Sequence, residues 1–452
     1  MKNLAAWIKA FVDAGMSDKA ARVKGDLLKR NAERQAQFGP RGGEARHYFV
    51  PGRVEFLGKH TDYAGGRSLI CPIEMGICVT AVAREDSRIR VVELAGGDEA
   101  EFAFAADSHG MGGHWANYPM TVARRLARNF GAQAPLKGAD IVISADLPQA
   151  SGMSSSSALM VGVYLALADV NGLADRAQYK REIHTREDLA CYLGTVENGQ
   201  SFGDLSGEAG VGTFGGSEDH TAMLCGQVGK LCQYSFCPTR FERAVPLPEG
   251  YVLAIGVSGV VARKTGAAKD AYNRASLLAR EVFRVYKAAS GAAAPSLGAA
   301  LDNSEEVAER VRATLRAARG AAFSSEELLT RFEQFYRESC RVIPAAGDCL
   351  AAGDLPGLGR LVDESQAMTE SLLGNQVRET VALASSARKL GAVAASAFGA
   401  GFGGSVWALV EGASAAKFLD EWKQAYLRQF PAHADAAAFL LTRSGPPVLS
   451  VG

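Results

Sequence analysis

The chain has no excess of charge of either sign, since 49 lysines and arginines balance 49 aspartates and glutamates. Proteins that bind nucleic acid or an anionic membrane over a broad surface usually carry a basic excess. We therefore expect neither a nucleic-acid partner nor a membrane partner. With 48% hydrophobic and 22% charged residues, the composition is that of an ordinary globular protein, and 452 residues suffice for two or three domains.

Paired Cys-x-x-Cys motifs are also absent, and the three grouped cysteines at positions 225, 232 and 237 have no common zinc-site spacing. We interpret the eight cysteines as buried or free thiols in a reducing compartment. The N-terminal segment lacks the apolar run of a secretory signal, because Lys9 and Asp13 interrupt its helical pattern. These absences predict a cytoplasmic protein.

Two common nucleotide-binding motifs are missing as well. Gly-x-x-x-x-Gly-Lys-Ser/Thr occurs nowhere, and the His-Arg-Asp and Asp-Phe-Gly elements of protein kinases are absent. Residues 399–404 do satisfy Gly-x-Gly-x-x-Gly, but a dinucleotide fingerprint opens a helix, whereas residues 405–410 have the pattern of a strand. We therefore expect a glycine loop between two strands there, and neither a P-loop NTPase nor a protein kinase.

A serine-rich segment, residues 148–158, has the chemistry of a phosphate-binding loop. A β-branched run at residues 141–143 precedes it, and an apolar helical stretch at residues 158–168 follows it. Free amides at the start of such a helix suit a polyphosphate, and serine hydroxyls can donate to it or bind Mg²⁺. The same serines could instead cap a core helix, and the residues alone leave these two alternatives open.

Strand and helix patterns are mixed along the whole chain, which indicates a fold of both α and β elements. Strand patterns occur at residues 77–82, 89–94, 141–144 and 251–257. Helical patterns occur at residues 115–130, 158–170, 270–289 and 326–351. Residues 246–250, which contain two prolines and a glycine, are the predicted joint between domains.

Three glycine-rich segments, in this order, resemble the motifs of the GHMP kinase superfamily. Residues 52–63 read Gly-Arg-Val-Glu-Phe-Leu-Gly-Lys-His-Thr-Asp-Tyr, similar to the galactokinase signature Gly-Arg-x-Asn-x-Ile-Gly-Glu-His-Thr-Asp-Tyr. Residues 148–157 resemble the superfamily's ATP loop, Pro-x-x-x-Gly-Leu-Ser-Ser-Ser-Ala, and residues 399–404 resemble its third motif. The resemblance covers about residues 45–412 and narrows the superfamily to galactokinases and their relatives.

This resemblance implies an α+β, two-domain GHMP kinase fold with the active site in the interdomain cleft. The N-terminal domain, residues 1–246, would be ribosomal-protein-S5-domain-2-like and carry the sugar signature, the ATP loop and the catalytic aspartate. The C-terminal domain, residues 247–452, would be ferredoxin-like. It would carry the third motif, with Gly399, Gly401, Gly403 and Gly404.

The resemblance also implies the catalytic residues. Residues 215–220 read Gly-Gly-Ser-Glu-Asp-His in place of the family's Gly-x-Met-Asp-Gln element, which aligns Asp219 with the family's aspartate. Asp219 would orient or deprotonate the sugar hydroxyl that attacks the γ-phosphate of ATP. Arg53 would keep this carboxylate ionised and stabilise the transferring phosphoryl group. A loop-capping role for Asp219, or Glu218 as the active carboxylate, are the alternatives.

ATP and Mg²⁺ are the nucleotide and the metal that the resemblance implies. Ser156 and Glu197 match the positions that lie near Mg²⁺ in the family, and Glu197 would act directly or through a water. The residues that would bind ATP are Gly152, Met153, Ser154, Ser155 and Ser156.

The sugar signature departs from its relatives at two charged positions. His60 and Asp62 keep residues that meet sugar hydroxyls in the family, whereas Lys59 replaces Glu and Glu55 replaces Asn. Because a lysine only donates hydrogen bonds and adds positive charge, Lys59 could hold the carboxylate of a uronate. Alternatively, Lys59 could pair with Glu55 and leave an ordinary hexose site. Tyr272 resembles the family's sugar-contacting tyrosine, with a core tyrosine as the alternative.

Together these features predict an ATP-dependent sugar 1-kinase, with galactose as the default substrate and galactose 1-phosphate as the product. Galacturonate, arabinose and N-acetylgalactosamine are the competing substrates. A non-catalytic regulator that binds sugar and ATP is the alternative of another class. We favour catalysis, because Gly152 and the serines of the ATP loop are intact and Asp219 is present. We expect a cytoplasmic monomer whose partner is a small-molecule sugar.

Overall fold

Two β-sheets form the framework of the chain in its computed structural model, which describes residues 2–39, 43–108, 114–132, 134–148, 152–261 and 266–451. Residues 149–151 of the predicted ATP loop lie outside the described residues. The described strands are β1 (Arg46–Leu57), β2 (Arg67–Ala83), β3 (Arg88–Glu93), β4 (Glu99–Ala103), β5 (Ala139–Ala145), β6 (Lys230–Ser235), β7 (Arg240–Pro246), β8 (Tyr251–Val257), β9 (Ala394–Phe398), β10 (Ser405–Glu411), β11 (Ala438–Thr442) and β12 (Leu449–Ser450).

Helices connect these strands and cover the sheets. Across the described parts of the chain, none of them is long and apolar enough to cross a lipid bilayer. The described helices are α1 (Lys2–Asp13), α2 (Asp18–Ala36), α3 (Asn117–Phe130), α4 (Ser155–Val170), α5 (Ala177–Glu182), α6 (Arg186–Asn198), α7 (Glu218–Cys225), α8 (Gly266–Ser290), α9 (Leu297–Leu301), α10 (Glu305–Ala317), α11 (Ser325–Arg337), α12 (Ile343–Ala352), α13 (Leu355–Met368), α14 (Arg378–Lys389) and α15 (Ala415–Gln429).

The first sheet has β2 at its centre and runs in the order β12-β1-β2-β5-β3-β4, with β6 and β7 added beside the start of β2. Helices cover both of its faces. Phe11 of α1 and Leu28 of α2 pack with Phe49 of β1 in one apolar core, and Val163 of α4 shares a second core with Val50. Because β1 is buried on both sides, its polar side chains are held in fixed positions.

The second sheet runs in the order β11-β8-β10-β9, with antiparallel neighbours throughout. This order, with helices between β8 and β9 and α15 between β10 and β11, is the predicted ferredoxin-like arrangement. Trp422 of α15 packs on one face and donates to the carbonyl of Leu383 at 3.1 Å. On the other face Trp407 of β10 stacks on Phe56 of β1, with ring centres 3.9 Å apart. This contact joins the two sheets beside the site.

The prediction of mixed α and β elements is confirmed. The four predicted strands lie in β2, β3, β5 and β8. The helix predicted at residues 326–351 is two helices, α11 and α12, joined by the π-helical turn Glu338–Val342. Residues 399–404 connect the antiparallel pair β9 and β10, as predicted for a glycine loop between strands.

Residues 246–250 lie between β7 of the first sheet and β8 of the second. The C-terminal strand β12 returns to the first sheet, where it pairs with β1. The division into residues 1–246 and 247–452 therefore stays a prediction.

Candidate active site

A cleft of about 990 Å³ lies where the first sheet, α4, α7, α8 and the glycine loop of the second sheet meet. It brings together all of the predicted site residues except Met153 and Lys59. Met153 belongs to the apolar core, and its backbone carbonyl accepts a hydrogen bond from the Arg53 amide at 3.4 Å. The predicted residues in the cleft wall are Arg53, Glu55, His60, Asp62, Gly152, Ser154, Ser155, Ser156, Glu197, Asp219, Tyr272, Gly399, Gly401, Gly403 and Gly404.

Arg53 and Asp219 form an ion pair in this wall. The register of β1 against β2 shifts between Pro51 and Arg53, and the buried guanidinium leaves the strand there. Its Nε donates to Asp219 Oδ1 at 2.7 Å, and its Nη1 donates to the Gly152 carbonyl at 2.5 Å. Arg53 thus ties the predicted catalytic carboxylate to the predicted ATP loop.

Asp219 stands in the first turn of α7, where the helix dipole favours a negative charge. Its second oxygen accepts a hydrogen bond from the Ser154 hydroxyl. Its neighbour Glu218 is buried and accepts from Ser68 Oγ at 2.5 Å. Burial, followed by the negative charges of nearby carboxylates, raises the pKa of Glu218 well above its usual range. Glu218 is bound to Ser68, whereas Asp219 binds Arg53 and the Ser154 hydroxyl of the predicted ATP loop, so the geometry favours Asp219 over this alternative.

Ser154 precedes α4 in a left-handed conformation, with φ at 57°, and its side chain does not cap the helix. Its hydroxyl binds Asp219 instead. The alternative in which the serines only cap a core helix therefore does not hold for Ser154. The first amides of an α-helix have no intrahelical partners, and the start of α4, with Ser155 and Ser156, faces the cleft. This arrangement suits the phosphates of a nucleotide.

Glu197 lies beside this helix start. Its Oε2 accepts from Ser157 Oγ at 2.8 Å and lies 3.6 Å from His220 Nε2. Within the described residues, no group of three or more His, Cys, Asp or Glu side chains is arranged to hold a metal. Mg²⁺ usually keeps several waters and takes one or two protein ligands beside substrate phosphates, so the oxygens of Ser156 and Glu197 fit it chemically.

His60 and Tyr272 also line the cleft, with ring centres 5.1 Å apart. His60 Nε2 lies 3.0 Å from the Ala400 carbonyl, and Nδ1 lies 3.0 Å from the Tyr63 hydroxyl. The carbonyl can only accept, which assigns a proton to Nε2. Asp62 accepts from the amide of residue 218 at 3.2 Å, and burial raises its pKa to about 6.

Glu55 and Lys59, the two departures from the family signature, lie in different surroundings. Glu55 lines the cleft, where its Oε2 accepts from the Gly399 amide at 2.8 Å and burial raises its pKa to about 7. Its Oε1 has no hydrogen-bond partner among the described residues. Lys59 is 1% exposed and does not line the cleft, and its Nζ donates to Ser365 Oγ at 3.1 Å. Lys59 thus donates to Ser365 rather than to Glu55, while its positive charge still acts on Glu55 and lowers the pKa of that carboxyl group against the larger effect of burial.

An apolar extension of the cleft contains residues that the sequence motifs did not reveal. The sequence signal for them is the aromatic and polar cluster at residues 114–118, which spans the start of the helix predicted at residues 115–130. Leu147 and Leu159 complete this wall. The newly found residues are His114, Trp115, Asn117 and Tyr118.

Comparisons with known proteins agree with this fold. Residues 117–207 match the GHMP kinases N terminal domain, and residues 347–428 match the GHMP kinases C terminal family. A crystal structure of Lactococcus lactis galactokinase complexed with galactose has a TM-score of 0.75, covers 94% of this chain and 100% of its own, and is 24% identical. A mevalonate kinase from L. major, in complex with R-mevalonate, has a TM-score of 0.53, covers 88% and 96%, and is 15% identical. The fold is that of the GHMP kinases, as predicted.

The sequence relatives are more specific. Residues 35–83 match the galactokinase galactose-binding signature. A galactokinase from Chloroflexus aggregans is 30% identical over 374 residues, which are 82% of this chain and 85% of the relative. A galactokinase from Roseiflexus is 29% identical over 378 residues, or 83% and 86% of the two chains. The chain belongs to the galactokinase family, which confirms the family inferred from its three glycine-rich segments.

Proposed function

We propose that the chain is a galactokinase, which transfers the γ-phosphoryl group of ATP to the anomeric hydroxyl of galactose and releases galactose 1-phosphate and ADP. Its homologues are ATP-dependent phosphotransferases that act on a sugar hydroxyl. The observation that carries the proposal is the ion pair of Arg53 and Asp219, joined at 2.7 Å. This pair lies in the cleft between the start of α4 and the wall formed by His60 and Asp62.

Asp219 is the group that meets the attacking hydroxyl. Arg53 and Ser154 both donate to its carboxylate, which favours the anionic form that can accept a hydrogen bond or a proton from the sugar. Phosphoryl transfer has a loose transition state, so holding the hydroxyl in line with the γ-phosphorus is a large part of the catalysis. Arg53 also supplies positive charge beside the transferring phosphoryl group.

The nucleotide would lie along the side of the cleft that the start of α4 forms. The first amides of α4 and the hydroxyls of Ser155 and Ser156 would bind the phosphates, and Trp115 with Tyr118 would pack against the adenine. Ser156 and Glu197 would hold Mg²⁺, which would supply positive charge to the phosphate oxygens. Ser157 and His220, which lie against the Glu197 carboxylate, orient it.

The sugar lies against His60, Asp62 and Tyr272. A uronate is the poorer substrate, because Lys59, the predicted partner of its carboxylate, lies outside the cleft wall. The buried carboxyl groups of Glu55 and Asp62 in that wall would also repel the carboxylate of a uronate. Galactose is therefore preferred, with arabinose and N-acetylgalactosamine as the remaining competitors.

A coupled assay of sugar-dependent ADP release from Mg-ATP tests this function. Galactose, arabinose, N-acetylgalactosamine and galacturonate are compared at equal concentrations, and the phosphorylated product is identified by phosphorus NMR. The proposal expects galactose to give the highest kcat/KM and a 1-phosphate product. Binding of galactose and ATP with no turnover of any sugar would favour the regulator instead. We also propose a cytoplasmic location, on the eight free thiols of the chain, and a monomeric state.

A further inference from the structure

One face of α11 and the turn after it holds the backbone of the sugar signature. Arg331, Gln334 and Glu338 make up this face, and we call them the α11 polar face. Spacings of three and four residues place the three side chains on one side of a helix. Each is at most 2% exposed, so their polar groups have exchanged water for protein partners.

Two of these side chains bind the backbone of consecutive residues, Gly58 and Lys59. Glu338 Oε1 accepts from the Gly58 amide at 2.9 Å. Gln334 Nε2 donates to the Lys59 carbonyl at 3.1 Å. A backbone segment held at successive residues from one rigid helix has little freedom to move.

Arg331 binds the backbone of the following residue, His60, and connects it to α8. It donates to the carbonyl of His60, which has a φ of 60°. Non-glycine residues hold this left-handed conformation only where surrounding contacts enforce it. Arg331 also donates to the Tyr63 hydroxyl at 3.1 Å and to the Ala275 carbonyl at 3.2 Å. Ala275 lies one turn after Tyr272 on α8, so a single guanidinium connects the backbone of His60 to the helix that carries Tyr272. We call His60, Asp62 and Tyr272 the sugar wall.

Lys59 completes this network from the other side. Its ammonium donates to Ser365 Oγ at 3.1 Å, and Ser365 Oγ donates to Glu338 Oε1 at 3.0 Å. Glu338 is fully buried, and its Oε2 has no hydrogen-bond partner in the described parts of the chain. A buried carboxylate needs a nearby counter-charge, and Lys59 provides one through the serine.

We propose that the α11 polar face positions the sugar signature for phosphoryl transfer, and that Lys59 is the counter-charge of Glu338 rather than a sugar ligand. This inference rests on the proposed function. Lys59 is then a positioning residue, and its replacement of the family's glutamate is matched by the buried carboxylate of Glu338 in the turn after α11.

Kinetics of a rescue pair test the role of Lys59. We expect Lys59→Met to raise the KM for galactose about tenfold while the KM for ATP stays within about twofold, because only the sugar wall is displaced. Adding Glu338→Gln to Lys59→Met removes the uncompensated charge, and we expect it to restore the KM for galactose to within about threefold of wild type. A double variant no better than Lys59→Met would overturn the counter-charge role.

Hydrogen exchange tests the positioning without any need for turnover. We expect Arg331→Lys to increase amide exchange in residues 58–63 about tenfold relative to Arg337→Lys, a matched change at a partly exposed position on the same helix. Equal exchange in the two variants, with both folded by circular dichroism, would overturn the positioning role. Wild-type protein that turns over no sugar would instead refute the proposed function, and the exchange comparison would still decide the inference.

Discussion

At the scale of single residues, the site is dominated by an imbalance of buried charge. Four carboxyl groups lie near the guanidinium of Arg53, and the Lys59 ammonium adds a second positive charge near Glu55. Two positive charges cannot fully compensate four negative ones in a low dielectric. Burial raises the pKa of two of these carboxyl groups, to about 7 for Glu55 and well above the usual range for Glu218. Asp219 keeps its hydrogen-bond donors and remains the acceptor of the site.

Glu55 gives this imbalance a measurable pH dependence. Its pKa rises from 4.5 to about 7 on folding, so its contribution to stability is complete below about pH 4.5 and is lost as the pH rises through 7. Glu55→Gln keeps an acceptor for the Gly399 amide and cannot ionise. We expect urea unfolding to show the variant more stable than wild type by about 1–3 kcal/mol at about pH 8, and by much less at about pH 5.

Glu85→Gln is the control for this comparison, because the Glu85 side chain is exposed. Its stability relative to wild type should be the same at both pH values. An offset for Glu55→Gln that does not change with pH would contradict the raised pKa.

Lys59 shows why the sequence predicted the members of the site better than their arrangement. The signature placed His60 and Asp62 in the sugar wall, because a short motif keeps its local geometry. The contacts of Lys59 with Ser365, and of its backbone with Gln334, join segments about 300 positions apart. Neither composition nor spacing indicates such contacts, and both interpretations of Lys59 had assumed a role in the cleft.

At the scale of elements, the glycine loop between β9 and β10 shapes the contact of the second sheet with the sugar wall. Gly401 has a φ of +78°, and a Cβ there would lie 2.4 Å from the Asn375 carbonyl oxygen. The neighbouring Ala400 carbonyl lies 3.0 Å from His60 Nε2. The loop therefore contacts a histidine in the segment that follows β1 of the first sheet.

Gly401→Ala should displace this loop. We expect a loss of about 1–3 kcal/mol in stability and about a tenfold fall in kcat/KM for galactose, measured by urea unfolding and by the ADP assay. Gly320→Ala is the matched control, since Gly320 has a φ of +68° and no atom within 4 Å of an added Cβ. If both variants lose the same activity, close packing of the loop is not the cause.

The pattern of apolar residues predicted the elements themselves well, including β2, β5, β8 and α8. It did not predict the π-helical turn Glu338–Val342, because one extra residue in a helix leaves the period of the apolar face almost unchanged. That turn carries Glu338, so the missed irregularity is part of the polar face behind the sugar signature. The role of the aromatic residues Trp115 and Tyr118, at the start of α3, was missed for a related reason, since helix periodicity does not distinguish a core aromatic from one that lines a cleft.

At the scale of the whole molecule, the cleft depends on the contact between the two sheets. Phe56 of β1 and Trp407 of β10 stack with an angle of 20° between their planes, and both are fully buried. This contact lies next to Glu55, on the strand that carries Arg53. The glycine loop and the ATP loop therefore face each other only while the two sheets stay packed.

Trp407→Ala should affect both stability and the shape of the cleft. We expect a loss of about 3–5 kcal/mol in unfolding free energy and, in the protein that remains folded, a higher KM for both galactose and ATP. Trp422→Ala should lose comparable stability with nearly unchanged KM values, because Trp422 packs on the far face of the second sheet. Wild-type KM values in folded Trp407→Ala would contradict this role of the sheet contact.

The most direct test of the catalytic assignment is the turnover of Asp219→Asn with galactose and Mg-ATP. Asparagine keeps the size of the side chain and loses the charge that Arg53 binds and the sugar hydroxyl needs. We expect kcat to fall by about a hundredfold or more, with the KM for ATP within about threefold of wild type. Turnover within a few-fold of wild type would contradict the assignment and place the catalytic group elsewhere in the cleft.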